Sequence, residues 1–301
     1  MSPWTLVSPA SRGIGRALAR RLLQTTDVPV VATARRDLDK SREEILSGLE
    51  QVDERRLKVL RLDVLGACVW NQDTHCLIHE STISSAASEC GKLFPPPAHH
   101  LRLTFAIPGL LFPERSPAQI DAANALLTFR TNSLGPLLLM KHFEAFLPSK
   151  KQLKQQERRR GGDPGAADLV VGADGGASLA PARNLPPHAV FAAMSARVGS
   201  VSDNALGGWF SYRASKAAVT QAARSFDVHL QRSAGRAAVA LALHPGTVKT
   251  ELSEEFWGSV PKDGLLEPEF AAERLCEVVT REVGVDGRGR FWDWKGEEIL
   301  P

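Results

Sequence analysis

The stretch Trp4-Thr5-Leu6-Val7-Ser8-Pro9-Ala10-Ser11-Arg12-Gly13-Ile14-Gly15-Arg16-Ala17-Leu18-Ala19 decides how the chain folds. It opens as a short apolar run and passes into a turn that carries two glycines. From Ile14 apolar residues return at Leu18, Leu22 and Leu23, the spacing of one helix face. A second apolar run, Val28 to Ala34, follows and ends in Arg35-Arg36. Strand, glycine turn, helix and strand in this order make a dinucleotide-binding unit. The glycines let the backbone approach a pyrophosphate, and the helix start offers unpaired N–H groups and a positive dipole end.

The alternation continues outward. Helix two is predicted from Asp37, an N-cap residue type, and carries Leu38, Ile45 and Leu49. Leu57, Val59, Leu60 and Leu62 make strand three. Residues 65 to 100 are harder to read: Cys68 to Ala87 is only weakly periodic for a helix, and Pro95-Pro96-Pro97 ends that region. Leu101, Leu103 and Phe105 form strand four, closing at Pro108-Gly109. A long helical pattern spans Ile120 to Phe146, with a bend expected at Pro136. Ala189 to Met194 is strand five, Tyr212 to Gln231 a helix, and Ala237 to Leu243 an apolar, buried strand six. Pro268 to Val283 is helical, and Arg290 to Trp294 closes the sheet. Seven strands alternating with helices predict an α/β fold, a Rossmann-like doubly wound sheet of seven mainly parallel strands with helices on both faces. Residues 1–301 form a single NAD(P)-binding domain, with an insert at 149–187 that is basic at first and then rich in glycine, alanine and proline. The insert has no period long enough to bury a face, so a mobile loop is expected there.

Bulk properties exclude several classes. A chain of 301 residues buries a full core without staples. A net charge of +3 is too small to argue for nucleic acid. Cys68, Cys76, Cys90 and Cys276 show no paired spacing and fit a reducing compartment. His75, Cys76 and His79 read as a surface cluster rather than a metal site. No apolar run approaches the roughly 20 residues of a membrane span, and the first strand leaves no room for a signal peptide. The expectation is a cytoplasmic protein that binds neither membrane nor nucleic acid.

Tyr212 is the only tyrosine in the chain. It stands in Ser211-Tyr212-Arg213-Ala214-Ser215-Lys216, four residues before Lys216, so both side chains share one helix face. An adjacent ammonium is expected to lower the phenol pKa and make a general acid/base. Pro9 to Gly15, Arg35, Asp63, Gly109, Ser195 and Pro245 all fall at carboxyl ends of predicted strands, the edge where open parallel sheets bind ligands. Strand two ends in Arg35 rather than an acidic residue, and Arg12 adds a second guanidinium. That pair suits the 2′-phosphate of NADP better than the ribose of NAD.

These residues together resemble the short-chain dehydrogenase/reductase family. Ser8-Pro9-Ala10-Ser11-Arg12-Gly13-Ile14-Gly15 is similar to its nucleotide-binding turn, Thr-Gly-x-x-x-Gly-x-Gly, and Tyr212 with Lys216 matches its Tyr-x-x-x-Lys. Asp63-Val64 stands where that family contacts adenine, Asn132 matches its helix asparagine, and His244-Pro245-Gly246-Thr247-Val248-Lys249-Thr250 matches the segment at the nicotinamide end. Met194 to Lys216 looks closest to the carbonyl-reductase-like branch that includes C-factor and sniffer proteins. The resemblance implies an NADP(H)-dependent oxidoreductase that interconverts a carbonyl and an alcohol by hydride transfer. Its cofactor contacts would be Ser8, Ser11, Arg12, Gly13, Ile14, Gly15, Arg35, Asp63, Val64, Gly109, Tyr212, Lys216, Pro245, Gly246, Val248 and Thr250. Tyr212 would pass the proton, Lys216 would tune it, Asn132 would hold a relay water, and Ser195 would bond the substrate oxygen, with Ser200 as the alternative. The segment Glu251 to Asp263 would be a substrate lid whose apolar residues suit a hydrophobic carbonyl compound. Relatives often assemble as dimers or tetramers through the helices bearing Asn132 and Tyr212.

Three departures qualify this pattern. Pro9 replaces the first glycine of the turn. The family's Asn-Asn-Ala-Gly reads Ala106-Ile107-Pro108-Gly109. Counting back three from Gly199 gives Ala196, with Ser195 one position earlier. The spacing from Ser195 to Tyr212 is 17, and the extra residues around Asp203 to Trp209 are expected to shape the substrate mouth. These departures leave a second reading open, a catalytically silent NADP-binding redox sensor or interaction protein.

Overall fold

A computed structural model describes residues 1–65, 68–71, 74–78, 80–160, 179, 182–261 and 264–301. Seven parallel strands form the central sheet: β1 (Ser2–Ser8), β2 (Val30–Ala34), β3 (Leu57–Arg61), β4 (His99–Ala106), β5 (Ala189–Met194), β6 (Ala238–His244) and β7 (Phe291–Asp293). Their spatial order is β7-β6-β5-β4-β1-β2-β3. The order reverses between β1 and β4, where Leu6 pairs with Thr104, so a ligand crevice opens at their carboxyl ends.

Strand residues alternate between two cores. On one face Leu6, Phe191 and Ala240 meet α3 (Ser81–Leu93), α5 (Gly135–Phe143) and α7 (Phe210–Ser233) through Ile83, Phe143 and Val219. On the other, Val7, Val190 and Leu241 meet α1 (Gly13–Thr25), α2 (Leu38–Leu46) and α8 (Pro268–Glu277) through Leu18, Ile45 and Leu275. Burial on both faces explains why the strands read as continuous apolar runs.

Several local expectations need correction. Asp37 does precede α2, but it is left-handed (φ 48°) and its side chain makes no capping bond; Leu49 lies past the helix end. The stretch from Cys68 does not begin a helix: Cys68–Asn71 pairs antiparallel with Thr74–Ile78, and α3 starts only at Ser81. The long helix is interrupted before Pro136. After α4 (Ala122–Phe129), Arg130–Leu134 forms a π-turn, then α5 continues. The insert opens as a helix, α6 (Lys150–Arg160), which buries Leu153. The rest of the insert, at 161–178, 180 and 181, lies outside the described residues, as do the side chains of His75, Cys76 and His79. Among the described residues no helix is long and apolar enough to cross a membrane, and no acidic, histidine and cysteine group could hold a metal.

Candidate active site

The glycine turn is built for close approach. Gly13 is left-handed at φ +53°. A Cβ at Gly15 would fall 2.1 Å from the Pro9 carbonyl oxygen, so no other residue fits. The helix behind the turn, α1, has no side-chain cap and no acidic residue in its first turn, which leaves its N–H groups and positive dipole end to an anion. Pro9 is accommodated, and Ala10 N–H donates to Thr33 O at 2.7 Å. Ile107, in place of the family's asparagine, packs its Cδ1 beside Gly15.

The strand ends converge on this turn. Thr250 lies against Gly13, its Cγ2 3.1 Å from where a Cβ would stand. Gly246 is left-handed at φ +80°, with Leu266 and Trp294 too close for any side chain. Val248 is buried beneath Thr250 and accepts from Ser253 Oγ. A Cβ at Gly109 would meet Lys216 Nζ at 3.7 Å and Leu252 Cδ1 at 3.8 Å, so the loop after β4, the lysine of α7 and Leu252 share one space. Asp63 follows β3, where its Oδ1 accepts from Leu65 N, and Val64 packs on Gly135.

The two arginines separate. Arg12 pairs with Glu251, both largely exposed. Arg35 is exposed at the end of β2 and has no hydrogen bond or ion pair among the described residues. The side chain of Ser8 is also diverted: it is fully buried and accepts from Thr33 Oγ1 at 2.8 Å, a tie between β1 and β2.

Tyr212 and Lys216 stand one turn apart on α7, both buried, with Nζ 5.7 Å from the centre of the tyrosine ring. Nζ donates to Met194 O at 2.9 Å. Desolvation lowers the Lys216 ammonium to about 8. The same burial raises the Tyr212 phenol, opposite to the lowering expected from its neighbour. Asn132 is wholly buried in the π-turn. Its amide grips Leu110 at both N (2.8 Å) and O (2.9 Å), and donates to Ser215 Oγ at 3.0 Å. Two backbone carbonyls lose their usual helix donors here. Gly135 N–H turns to Arg130 rather than Thr131, and Pro136 has no N–H for Asn132.

Neither candidate serine turns toward the phenol through its hydrogen bonds. Ser195 Oγ donates to Lys216 O at 2.9 Å and accepts from Thr220 Oγ1, anchoring β5 to α7. Ser200 Oγ donates to Leu300 O. Ala196 is extended (φ −152°, ψ 147°), so it projects opposite to Ser195.

Two contacts flank Tyr212, of which the sequence reading named only the segment bearing the first. Trp209 and Tyr212 lie T-shaped, with ring centres 6.1 Å apart, and Trp209 packs on Phe256 at 4.7 Å. Glu114 is a buried carboxylate that accepts from Ser211 N (2.7 Å) and Ser211 Oγ (2.6 Å), immediately before Tyr212. The aromatic content of Asp203 to Trp209 hinted at the first; nothing local signalled the second.

No family model matches the chain. It is 39% identical over 98 residues to 1-hydroxy-2-glutathionyl-2-methyl-3-butene dehydrogenase of Rhodococcus sp. strain AD45, a match covering 33% of this chain and 40% of that one. The chain thus spans less than half of that relative. It is 27% identical over 180 residues to C-signal of Myxococcus xanthus, covering 60% of this chain and 80% of that one. Its fold matches NADPH-bound carbonyl reductase from chicken fatty liver (TM-score 0.72, 20% identity) and carbonyl reductase Sniffer of D. melanogaster (TM-score 0.70, 19% identity), each over 100% of this chain and 99% of the other. With the strand order, these likenesses show that the chain has the fold of these carbonyl reductases, and a third of it is similar in sequence to a dehydrogenase.

Proposed function

We propose that the protein is an NADP(H)-dependent reductase that converts a hydrophobic carbonyl compound to its alcohol, or the reverse. The observation that carries this reading is the meeting of Tyr212, Lys216, Gly109 and Leu252 at the edge where Gly13 and Thr250 touch. The residues present fit the dinucleotide. Gly13, Ile14 and Gly15, with Ser11 beside them, would receive the pyrophosphate at the uncapped start of α1. Unpaired Arg35 would take the 2′-phosphate, with NAD(H) the weaker alternative, and Arg12 would join it only by leaving Glu251. Asp63 and Val64 would flank the adenine, and Pro245, Gly246, Val248 and Thr250 the nicotinamide end.

When bound, the cofactor supplies or accepts the hydride. Tyr212 gives its proton to the developing alkoxide, or removes it in reverse. A phenol raised by burial stays protonated and ready to donate. Lys216, lowered to about 8, changes charge near neutral pH and so biases the phenol. The side-chain amide of Asn132 is committed to Leu110 and Ser215, so its backbone carbonyl would be the atom that holds the relay water. Ser195 serves as an anchor for Lys216 through its carbonyl, so the phenol is the principal donor to the substrate oxygen.

The test is reduction of a panel of aldehydes and ketones, followed by loss of NADPH, with Tyr212→Phe as control. Removing the acid should cost roughly 10²- to 10⁴-fold in kcat while NADPH still binds. A second reading, a catalytically silent NADP-binding sensor, is favoured by one observation, the engaged hydroxyl of Ser195 beside Ala196. Tight NADPH binding with no turnover across the panel would establish it instead. The free, buried thiols of Cys90 and Cys276 support a reducing, cytoplasmic setting. Exposed Leu126, Phe129 and Leu137 on α4 and α5 support self-association into a homodimer or homotetramer, to be measured by sedimentation.

A further inference from the structure

Helix α7 begins without any cap of its own. Its preceding residue, Trp209, makes no side-chain capping bond, and its first turn has no acidic residue. Gly207, Gly208 and Trp209 are left-handed in succession, at φ 65°, 67° and 49°. Two glycines adopt that conformation freely, but a tryptophan does so only when its surroundings hold it there.

Glu114, from the loop after β4, supplies what is missing. Both its carboxylate oxygens are taken by Ser211, one by the backbone N–H and one by the hydroxyl, at 2.7 and 2.6 Å. Its own carbonyl accepts from Trp209 N–H at 2.6 Å. A charge-bearing acceptor at a helix start is the electrostatically favoured cap. Arg213 closes the other side: its Nε donates to Gly207 O and Gly208 O, and its Nη1 to Val198 O. The strained tryptophan is therefore fixed from both ends. Its ring is T-shaped to that of Tyr212 and tilted against that of Phe256. Glu114 is 3% exposed, so this is a built clamp and not a surface contact.

The geometry points to Trp209 as a specificity-determining wall of the substrate mouth and to Glu114 as the residue that positions it. A flat, aromatic group next to the carbonyl would lie against the indole while the carbonyl oxygen meets the phenol. This inference rests on the assignment of Tyr212 as the acid and goes beyond it by naming the aryl carbonyl class and the residues that select it.

The experiment compares benzaldehyde with propanal, using the NADPH-loaded protein and the variants Trp209→Ala, Trp209→Phe, Glu114→Gln and Tyr212→Phe. Trp209→Ala should lower kcat/KM for benzaldehyde about tenfold more than for propanal, the order of an aromatic pair contact, chiefly through KM. Trp209→Phe should restore most of the preference. Glu114→Gln keeps the size of the side chain but cannot accept from both donors of Ser211; the benzaldehyde-to-propanal ratio should fall and kcat drop for both. If Trp209→Ala lowers both aldehydes alike, or Glu114→Gln lowers the melting temperature while leaving the ratio intact, the inference is overturned. So it is if the native protein turns over neither aldehyde. Full benzaldehyde reduction by Tyr212→Phe would instead sink the acid assignment underneath, a different and separately visible result.

Discussion

Replacing Lys216 with methionine should make the protein more stable and abolish its activity. The side chain is buried, and desolvation takes its ammonium from an ordinary 10.5 to about 8. At about 1.4 kcal/mol per pKa unit, holding that charge in the fold costs about 3 kcal/mol at neutral pH. Methionine matches the length of the lysine stem and carries no charge, but it loses the bond to Met194 O, which contributes about 1 kcal/mol. The net gain is about 2 kcal/mol, or about 3 °C in melting temperature for a chain of this length. The pH dependence gives the sharper test. The folded pKa lies below the unfolded one, so between pH 8 and 10.5 the unfolded chain binds a proton that the folded chain has shed. Native stability therefore rises with pH through that window, and below pH 8 the full penalty is present. Tyr212, raised above its ordinary value, costs stability only above pH 10. Thermal melts of both proteins from pH 6 to 10 should show Lys216→Met ahead at pH 6 to 7 and the gap closing toward pH 10. A variant that melts below the native protein at pH 7, or a gap that does not narrow, would refute the reasoning.

Arg35→Ala should cut the preference for NADPH over NADH by about tenfold, the order of one charge-assisted contact, with little change in NADH affinity; titration of both cofactors checks this. Ala196→Ser, placing a hydroxyl opposite the anchored Ser195, should raise kcat, since one oxyanion donor contributes up to about 10²-fold; steady-state kinetics reads it, and an unchanged or lower kcat speaks against a donor deficit. Asn132→Ala should destabilise the fold by about 2 kcal/mol, because the part-buried amide and carbonyl of Leu110 both lose a hydrogen bond; denaturant unfolding measures the loss.

The sheet was legible because strands buried on both faces read as apolar runs, and the glycine turn announced their first crossover. The strand pair Cys68–Asn71 and Thr74–Ile78 was not: these short strands have no alternation distinct from a weak helical period. Pro136 was seen as a break in the long helix, but its effect appears one turn earlier. The missing N–H and the shift of Gly135 to Arg130 reshape the backbone around Asn132, not at the proline itself. At the candidate site, the spacing put Tyr212 and Lys216 on one helix face, where the structure has them adjacent, but their selection rested on the accompanying motifs and the family resemblance. Ser195 was found as a residue but not as a contact, since one position along an extended segment selects the opposite face. The count back from Gly199 had already pointed at Ala196. Glu114 was beyond reach: a lone loop carboxylate gives no sign that its partner is Ser211, far along the chain.

The departures from the family pattern become coherent once their contacts are compared. Losing the asparagines after β4 removes side chains that tie the central strands. In this protein backbone and buried hydroxyl bonds hold the same junction: Ile107 N–H to Ser8 O at 2.7 Å, and Thr33 Oγ1 to Ser8 Oγ. Asn132 then secures the next residues of that loop by bonding both polar groups of Leu110. Ile107 occupies the space beside Gly15, so the Pro9 turn packs against an aliphatic side chain where an amide would otherwise need partners. The scaffold around the phosphate turn is thus rebuilt with fewer polar side chains, while Tyr212 and Lys216 remain buried and adjacent at the cost of a desolvated ammonium. A fold that had kept only a structural role for this edge would relieve that cost by replacing Lys216 with an apolar residue. The retained charge is the physical argument for chemistry at α7.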